Sequence, residues 1–571
     1  MCVLAGLVGS CSSSGDAASP ALVVTTPPIE RACASVAPRG LLADVRWPAL
    51  GADGRRFELT TKDLFVPCAA RAALVVMRVS AGFCGTCRWL GAHTAELARD
   101  QVRIVDVLVA NDDGEPAVAA DLDAWRPWVP GSPVMAADGE LMLGALVKAP
   151  FVLPLTALVD ARTMDVVDVV QGPDTELIEA RIEAALATLD KRTPVAAPPS
   201  DLHDGRFARW QWEMVQAMAL PGSPPPDPSN AHADDGYAAV LGELLFSEKG
   251  FSKDADVACI TCHDPLKGRA DGRPQALGVS PGDRNTPSIA LAAHARSLLW
   301  DGRADSLWMQ ALGPLESPRE IGSSRLRVAH VVQDLYKAEY EAVFGSLPAL
   351  LDVARFPLEG GPETAAWASM AVVDQDAVTR IFVQVGKAIA AYERTFRAAP
   401  NALDRYVSGD LAALAETEKD GLYAFFTTGC AQCHYGPRLT DDAFHVVRFA
   451  TGRADGAPDR GAIDGLVALA SSPFSKAGTF SDARAAAPRR PPSASMLGAF
   501  RTPTLRGLPA TAPYGHGGTF ATIEDVVAFY ARGGPSSDEA TRSVGAIDPL
   551  FPPFDGATAS KLSAFLRVLA Q

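Results

Sequence analysis

Two runs constrain this 571-residue chain more than anything else in it: Cys259-Ile260-Thr261-Cys262-His263 and Cys430-Ala431-Gln432-Cys433-His434. Each is a Cys-x-x-Cys-His. At that spacing two thiols can add to the vinyl groups of a porphyrin while the histidine takes the iron from the proximal side. By chance, a chain of this composition would hold on the order of a few thousandths of one such run. The expectation is two covalent haem c groups, with His263 and His434 as iron ligands. Such a chain does redox chemistry.

Length and charge narrow the class. A chain this long exceeds a single core, so several domains are expected. The net charge of −15 speaks against a nucleic-acid partner, since phosphate binding needs a basic face. Four of the ten cysteines belong to the haem runs. Cys84 and Cys87 form a Cys-Gly-Thr-Cys pair, and Cys33 and Cys68 are candidates for a bridge if the geometry permits. Haem attachment to thiols takes place outside the cytoplasm, in a compartment that tolerates disulfides. The short apolar stretch from Cys2 to Ser10, followed by Cys11 and a Ser-rich run, resembles a bacterial lipoprotein signal without its basic start. A periplasmic protein, lipid-anchored through Cys11, is expected.

Patterning divides the chain. Residues 1–30 read as signal and tether. Residues 31–192 alternate apolar runs with helical ones: strands at 73–79 and 102–109, a hairpin of 155–160 with 165–170, and a closing amphipathic helix from Thr175 to Leu189. That order is an α/β domain. A Pro-rich linker covers 193–205. Beyond it the pattern is mostly helical, in two halves of one haem each, 206–395 and 396–571.

From about residue 206 onward the chain resembles the bacterial dihaem cytochrome c peroxidase family, which includes the methylamine-utilisation maturase. The resemblance is carried by Leu241-Gly242, Arg284-Asn285-Thr286-Pro287, Leu299-Trp300-Asp301-Gly302-Arg303, Gln310 to Pro314 and Pro318-Arg319-Glu320. It continues in Asp404-Arg405-Tyr406, Phe444-His445, Thr502 to Arg506, Ala512-Pro513-Tyr514-Gly515-His516 and Val527 to Gly534. The resemblance implies that the haem of His263 is the peroxidatic one. Glu320 is then the distal carboxylate that moves a proton across bound peroxide. Gln310 and Pro314 shape the pocket, and Trp300 passes electrons between the haems. It also implies a calcium site built from Asn285 and the carbonyls of Thr511 and Pro513. Members whose resting haem is blocked carry a distal histidine about sixteen residues after the proximal one. Here that position is Val279, so the haem should be open in the oxidised protein.

At the second haem the family discriminates by its distal ligand. Counted from His516, the position that holds methionine in the better-known peroxidases is Tyr530, as in the maturase-like branch; Met496 is the fallback. A phenolate would lower the haem potential, whereas a thioether would raise it.

Phe83-Cys84-Gly85-Thr86-Cys87 follows a strand and opens a helix expected from Arg88, a setting in which the helix N-terminus favours a Cys84 thiolate and Cys87 resolves the mixed disulfide. With Val152-Leu153-Pro154 before a strand, the domain resembles a thioredoxin-like module with a cis-proline loop. The reading is a peroxidase that takes hydrogen peroxide and electrons from a small cytochrome or cupredoxin. Two alternatives stand beside it: a maturase-like oxidase of a protein or small molecule, and a thiol-disulfide oxidoreductase with a thiol partner, coupled to the haems.

Overall fold

The computed structural model describes residues 45–69, 71–140, 153–194, 202–483, 492–548 and 553–570, with residues 37, 38, 42 and 143 besides. Cys2, Cys11 and Cys33 lie outside these, as does the expected signal and tether. Cys68 is disulfide-bonded. Among the described residues no helix is long and apolar enough to cross a membrane.

The N-terminal domain is one seven-stranded sheet with helices around it. Its elements are β1 (Arg46–Gly51), β2 (Arg56–Thr60), β3 (Leu74–Ala81), α1 (Gly85–Ala92), β4 (Val102–Ala110), β5 (Val134–Ala137), β6 (Leu155–Asp160), β7 (Val166–Gln171) and α2 (Thr175–Leu189). The strand order is β2-β1-β5-β4-β3-β6-β7. The centre is parallel, β5-β4-β3, and the flanking pairs are antiparallel. Every residue of β3 is buried, as a Val-rich strand covered on both faces must be. β6 runs antiparallel to β3 and is preceded by the cis Leu153–Pro154 bond. This is the thioredoxin-like arrangement, with the thiol motif at the end of β3.

The remaining chain is helical: α3 (Arg209–Ala217), α4 (Gly236–Phe246), α5 (Leu307–Glu316), α6 (Val372–Glu393) and α7 (Glu416–Thr427), then the two-residue strands β8 (Phe444–His445) and β9 (Phe500–Arg501), followed by α8 (Ile523–Ala531) and α9 (Gly556–Arg567). One core joins α4, α5 and α6 around Trp308 and Phe382. A second joins α7, α8 and α9 around Phe425 and Phe565.

The structure corrects two expectations. The boundary at 206 does not divide the cores, because Phe207, Met214, Val215 and Met218 pack with Leu403, Tyr406 and Phe425 of the second haem half. The α3 segment therefore belongs to the C-terminal unit. Helix α1 begins at Gly85, not Arg88. The Cys84 side chain caps it, accepting from the Cys87 amide at 3.2 Å, and this puts both thiols in its first turn.

Candidate haem and thiol sites

The first haem motif lines a partly open cavity. Cys259, Cys262 and His263 form one wall, and Gln310, Pro314 and Glu320 another. Helical spacing explains part of this, since residues 310 and 314 of α5 share a face four residues apart. Glu320 arrives by a turn: its amide donates to the Ser317 carbonyl at 3.1 Å, and that of Ile321 to the Pro314 carbonyl at 3.1 Å.

A short backbone ladder holds Glu320 from the other side. The Val279 amide donates to the Glu320 carbonyl at 2.8 Å and the Ser280 amide to Arg319 at 3.1 Å. The approach requires Gly278, where a Cβ would lie 2.3 Å from the Glu320 carbonyl oxygen. Val279 thus stands against the backbone of Glu320, and no imidazole is offered from that position.

The motif histidines share one arrangement. His263 Nδ1 lies 3.0 Å from the Arg269 carbonyl, and His434 Nδ1 lies 2.9 Å from that of Leu439. A carbonyl can only accept, so Nδ1 carries the proton and Nε2 keeps its lone pair for a metal. The four motif cysteines are free, in contrast to the bonded Cys84–Cys87 pair at the same spacing. Burial pushes the Cys259 thiol up to about 12 and that of Cys430 to about 11, with charges on Glu393 and Cys433 adding to it. Neither is a ready thiolate.

Glu393, which the sequence reading missed, closes the same cavity from the end of α6. It is 4% exposed, its Oε2 has no hydrogen-bond partner, and burial raises its pKa to about 8 despite the nearby Arg269. An orphaned polar atom facing a cavity is what a missing occupant leaves behind. The residues fit a haem.

The second motif has a different setting. Cys433 Sγ lies 3.7 Å from His445 Nε2, and that ring is held between Asp441 at 2.9 Å and Asp548 at 3.0 Å. Cys433, Asp441 and His445 come close enough together to hold a cation, but a thioether bond to haem would remove the thiolate that a metal would use. Tyr530, on α8, lies beside Phe449 and Phe529. Burial, then the neighbouring Cys433 and Cys430, raise its phenol pKa, so the side chain sits next to this motif. Met496 is buried with Val446 and Leu466 in a separate small core.

Trp300 spans the two halves. Its indole N–H donates to the Asn285 carbonyl at 2.8 Å, and its own carbonyl accepts from the Arg501 amide at 2.9 Å. The Asn285 amide group donates to the Arg273 carbonyl at 2.8 Å, which turns its oxygen the other way. Thr511 and Pro513 belong to the loop that carries the cis Ala512–Pro513 bond, and Thr511 lies against Gly268. Asn285 and this loop both border residues 268–273. The quoted motifs also hold the frame: Arg284 pairs with Asp301 and Asp459, and buried Arg506 pairs with Asp404 at 2.7 Å.

The sequence model of the di-haem cytochrome c peroxidase family matches residues 237–412. The methylamine utilization protein MauG of Methylorubrum extorquens is 31% identical over 300 residues, covering 52% of this chain and 69% of the relative. The cytochrome-c peroxidase IdrP1 of Denitromonas iodatirespirans is 31% identical over 345 residues, 56% of this chain and 79% of the relative. This chain belongs to the di-haem cytochrome c peroxidase family. As a family member it is an oxidoreductase, and the family implies two c-type haems and peroxide as substrate. The cytochrome c551 peroxidase of Pseudomonas aeruginosa is 29% identical, covering 59% of this chain and 81% of the relative. Among solved structures, the dihaem peroxidase BthA of Burkholderia thailandensis is 23% identical, covering 61% of this chain and 94% of that one, with a TM-score of 0.45.

Proposed function

We propose that this protein reduces hydrogen peroxide to two waters with two electrons and two protons, at the cavity under His263. The observation that carries this is the convergence of Gln310, Pro314 and Glu320 on the cavity of the first haem motif. Cys259, Cys262 and His263 would hold a haem, and its iron would supply the redox chemistry on peroxide. Glu320 takes the proton from the proximal peroxide oxygen and returns it to the distal one, so that water can leave. Gln310 hydrogen-bonds the oxygen, and Pro314 walls the pocket. Trp300 passes electrons from the half of His434, which receives them from a small cytochrome or cupredoxin. The net charge of −15 suits a basic donor. One calcium ion, held by Asn285 and the carbonyls of Thr511 and Pro513, would stiffen the seam between the halves. We place the protein in the periplasm, anchored through Cys11, because haem attachment and the Cys84–Cys87 disulfide both belong outside the cytoplasm.

A second reading rests on Tyr530. A phenolate at the His434 haem favours oxidised iron, which suits a maturase-like oxidase that turns stored equivalents on a protein or small molecule. Stopped-flow mixing of the oxidised holoprotein with peroxide tests the main reading. A spectral change without prior reduction is expected. A low-spin spectrum inert until half-reduced overturns the open haem, and a holoprotein that consumes no peroxide in either state overturns the reading.

A further inference from the structure

The thiol motif does not face solvent. Cys84 is 1% exposed and Cys87 0%. What covers them is the second haem motif itself. Gly85, between the two cysteines, lies against the ring of Tyr435, the residue after His434; a Cβ there would sit 2.3 Å from the ring. The Tyr435 hydroxyl donates to the Phe83 carbonyl at 2.8 Å, and Gln432, inside the haem motif, reaches the Leu153 carbonyl of the cis-proline loop at 3.3 Å. Phe83 meets His445 edge-on at 4.7 Å, and His445 is the residue at Cys433 Sγ. Asp112 ties the rim together, taking Arg88 of the thiol domain and Arg296 of the haem unit, each at 3.1 Å. The face on which a thioredoxin-like domain receives a protein substrate is therefore filled from within the chain.

We propose that Cys84–Cys87 is an internal two-electron store for the His434 haem, and that its redox partner is that haem rather than a docked protein. Two contact routes join them: Gly85 to Tyr435 to His434, and Phe83 to His445 to Cys433. When the reduced pair forms its Sγ–Sγ bond it releases two electrons and two protons. Reduction of peroxide consumes the same two electrons and two protons, so the sum is dithiol plus H2O2 giving disulfide plus two waters. The oxidant in that sum rests on the peroxidase reading above. The direction is set by chemistry. Electrons leave the thiols singly, which needs a strong oxidant of the kind peroxide generates. Filling the disulfide one electron at a time would pass through a strongly reducing radical anion. The store is refilled instead by thiol–disulfide exchange with a small external dithiol, admitted when the rim at Asp112 opens and oxidised to its disulfide.

The test follows the thiols, not turnover. Holoprotein is reduced with dithiothreitol, desalted, mixed with two equivalents of H2O2, quenched in acid at set times and alkylated; the Cys84–Cys87 peptide is then weighed. Closure of the disulfide should keep pace with peroxide loss in the native protein and run at least tenfold slower in Gly85→Val, whose side chain cannot lie against Tyr435. Phe83→Ala, which removes the ring beside His445, tests the second route if Gly85→Val loses haem. Thiols that stay reduced while peroxide disappears, or that close equally fast in the native protein and both variants, overturn the proposal. Hexachloroiridate, a one-electron oxidant that does not depend on peroxide chemistry, separates the two readings. If two equivalents close the pair faster in the native protein than in Gly85→Val but peroxide is not consumed, the peroxidase reading fails and the wiring stands. If they leave the thiols reduced, the wiring fails.

Discussion

The two haem motifs share a local fold and differ in what faces them. Both hold their histidine by Nδ1 against a backbone carbonyl. His263 looks into a cavity bordered by Glu320, Gln310 and the orphaned carboxyl of Glu393. The motif of His434 is enclosed by Tyr530, the charged His445 network and the thiol domain. Room and an acid–base group suit chemistry on a small molecule, whereas enclosure and close contacts suit electron transfer. The same Cys-x-x-Cys-His arrangement serves both ends because its surroundings differ.

The sharpest way to break this comparison is at Glu320. Glu320→Gln should slow the peroxide-induced spectral change by roughly 10²- to 10⁴-fold, the usual worth of a positioned acid–base group, with haem content unchanged. An unaltered rate in stopped-flow would make the two ends equivalent. Tyr530→Phe should leave that first rate intact and alter only the spectrum of the His434 haem.

The seam between the halves offers the next test. His516 stacks on Phe500 at 3.6 Å, its carbonyl accepts from the Asn285 amide at 2.8 Å, and burial lowers its pKa to about 4. The folded state disfavours its charge, so stability held above the ordinary value near 6.5 is lost as pH falls toward 4. The loss is about 3 kcal/mol. Thermal unfolding of His516→Gln should show an acid limb shallower than the native protein's by about that amount.

Two smaller effects follow. Gly278→Ala pushes a Cβ into the Glu320 carbonyl and should lower the peroxide rate about tenfold by misplacing the carboxylate, with haem loading intact. Asp112→Asn loosens only a half-exposed rim and should cost less than about 1 kcal/mol, read as faster alkylation of reduced Cys84.

Much of this was legible in the sequence, and the gaps have physical causes. Strands β3, β4, β6 and β7 declare themselves by apolar runs, and α2 spans Thr175–Leu189 as its periodicity requires. Strand β1 carries Pro48 although it pairs on both sides, which is where proline argues against a strand. Strand β5 is four residues of Val, Met and Ala, too short for any period. The cavity residues were legible through the family's motif spacing. Glu393 was not, since a glutamate between Tyr392 and Arg394 at a helix end reads as solvated. Nor was the burial of the thiols, which depends on Gly85 meeting Tyr435 across 350 residues of chain.

That meeting also bears on the order of events in making the protein. Gln432 lies inside the second haem motif and Tyr435 directly after it, and both are already in contact with the thiol domain. The machinery that joins haem to Cys430 and Cys433 must handle the same segment, and the two cannot occupy it together. Attachment at this motif is therefore expected first, with the thiol domain closing over it afterwards.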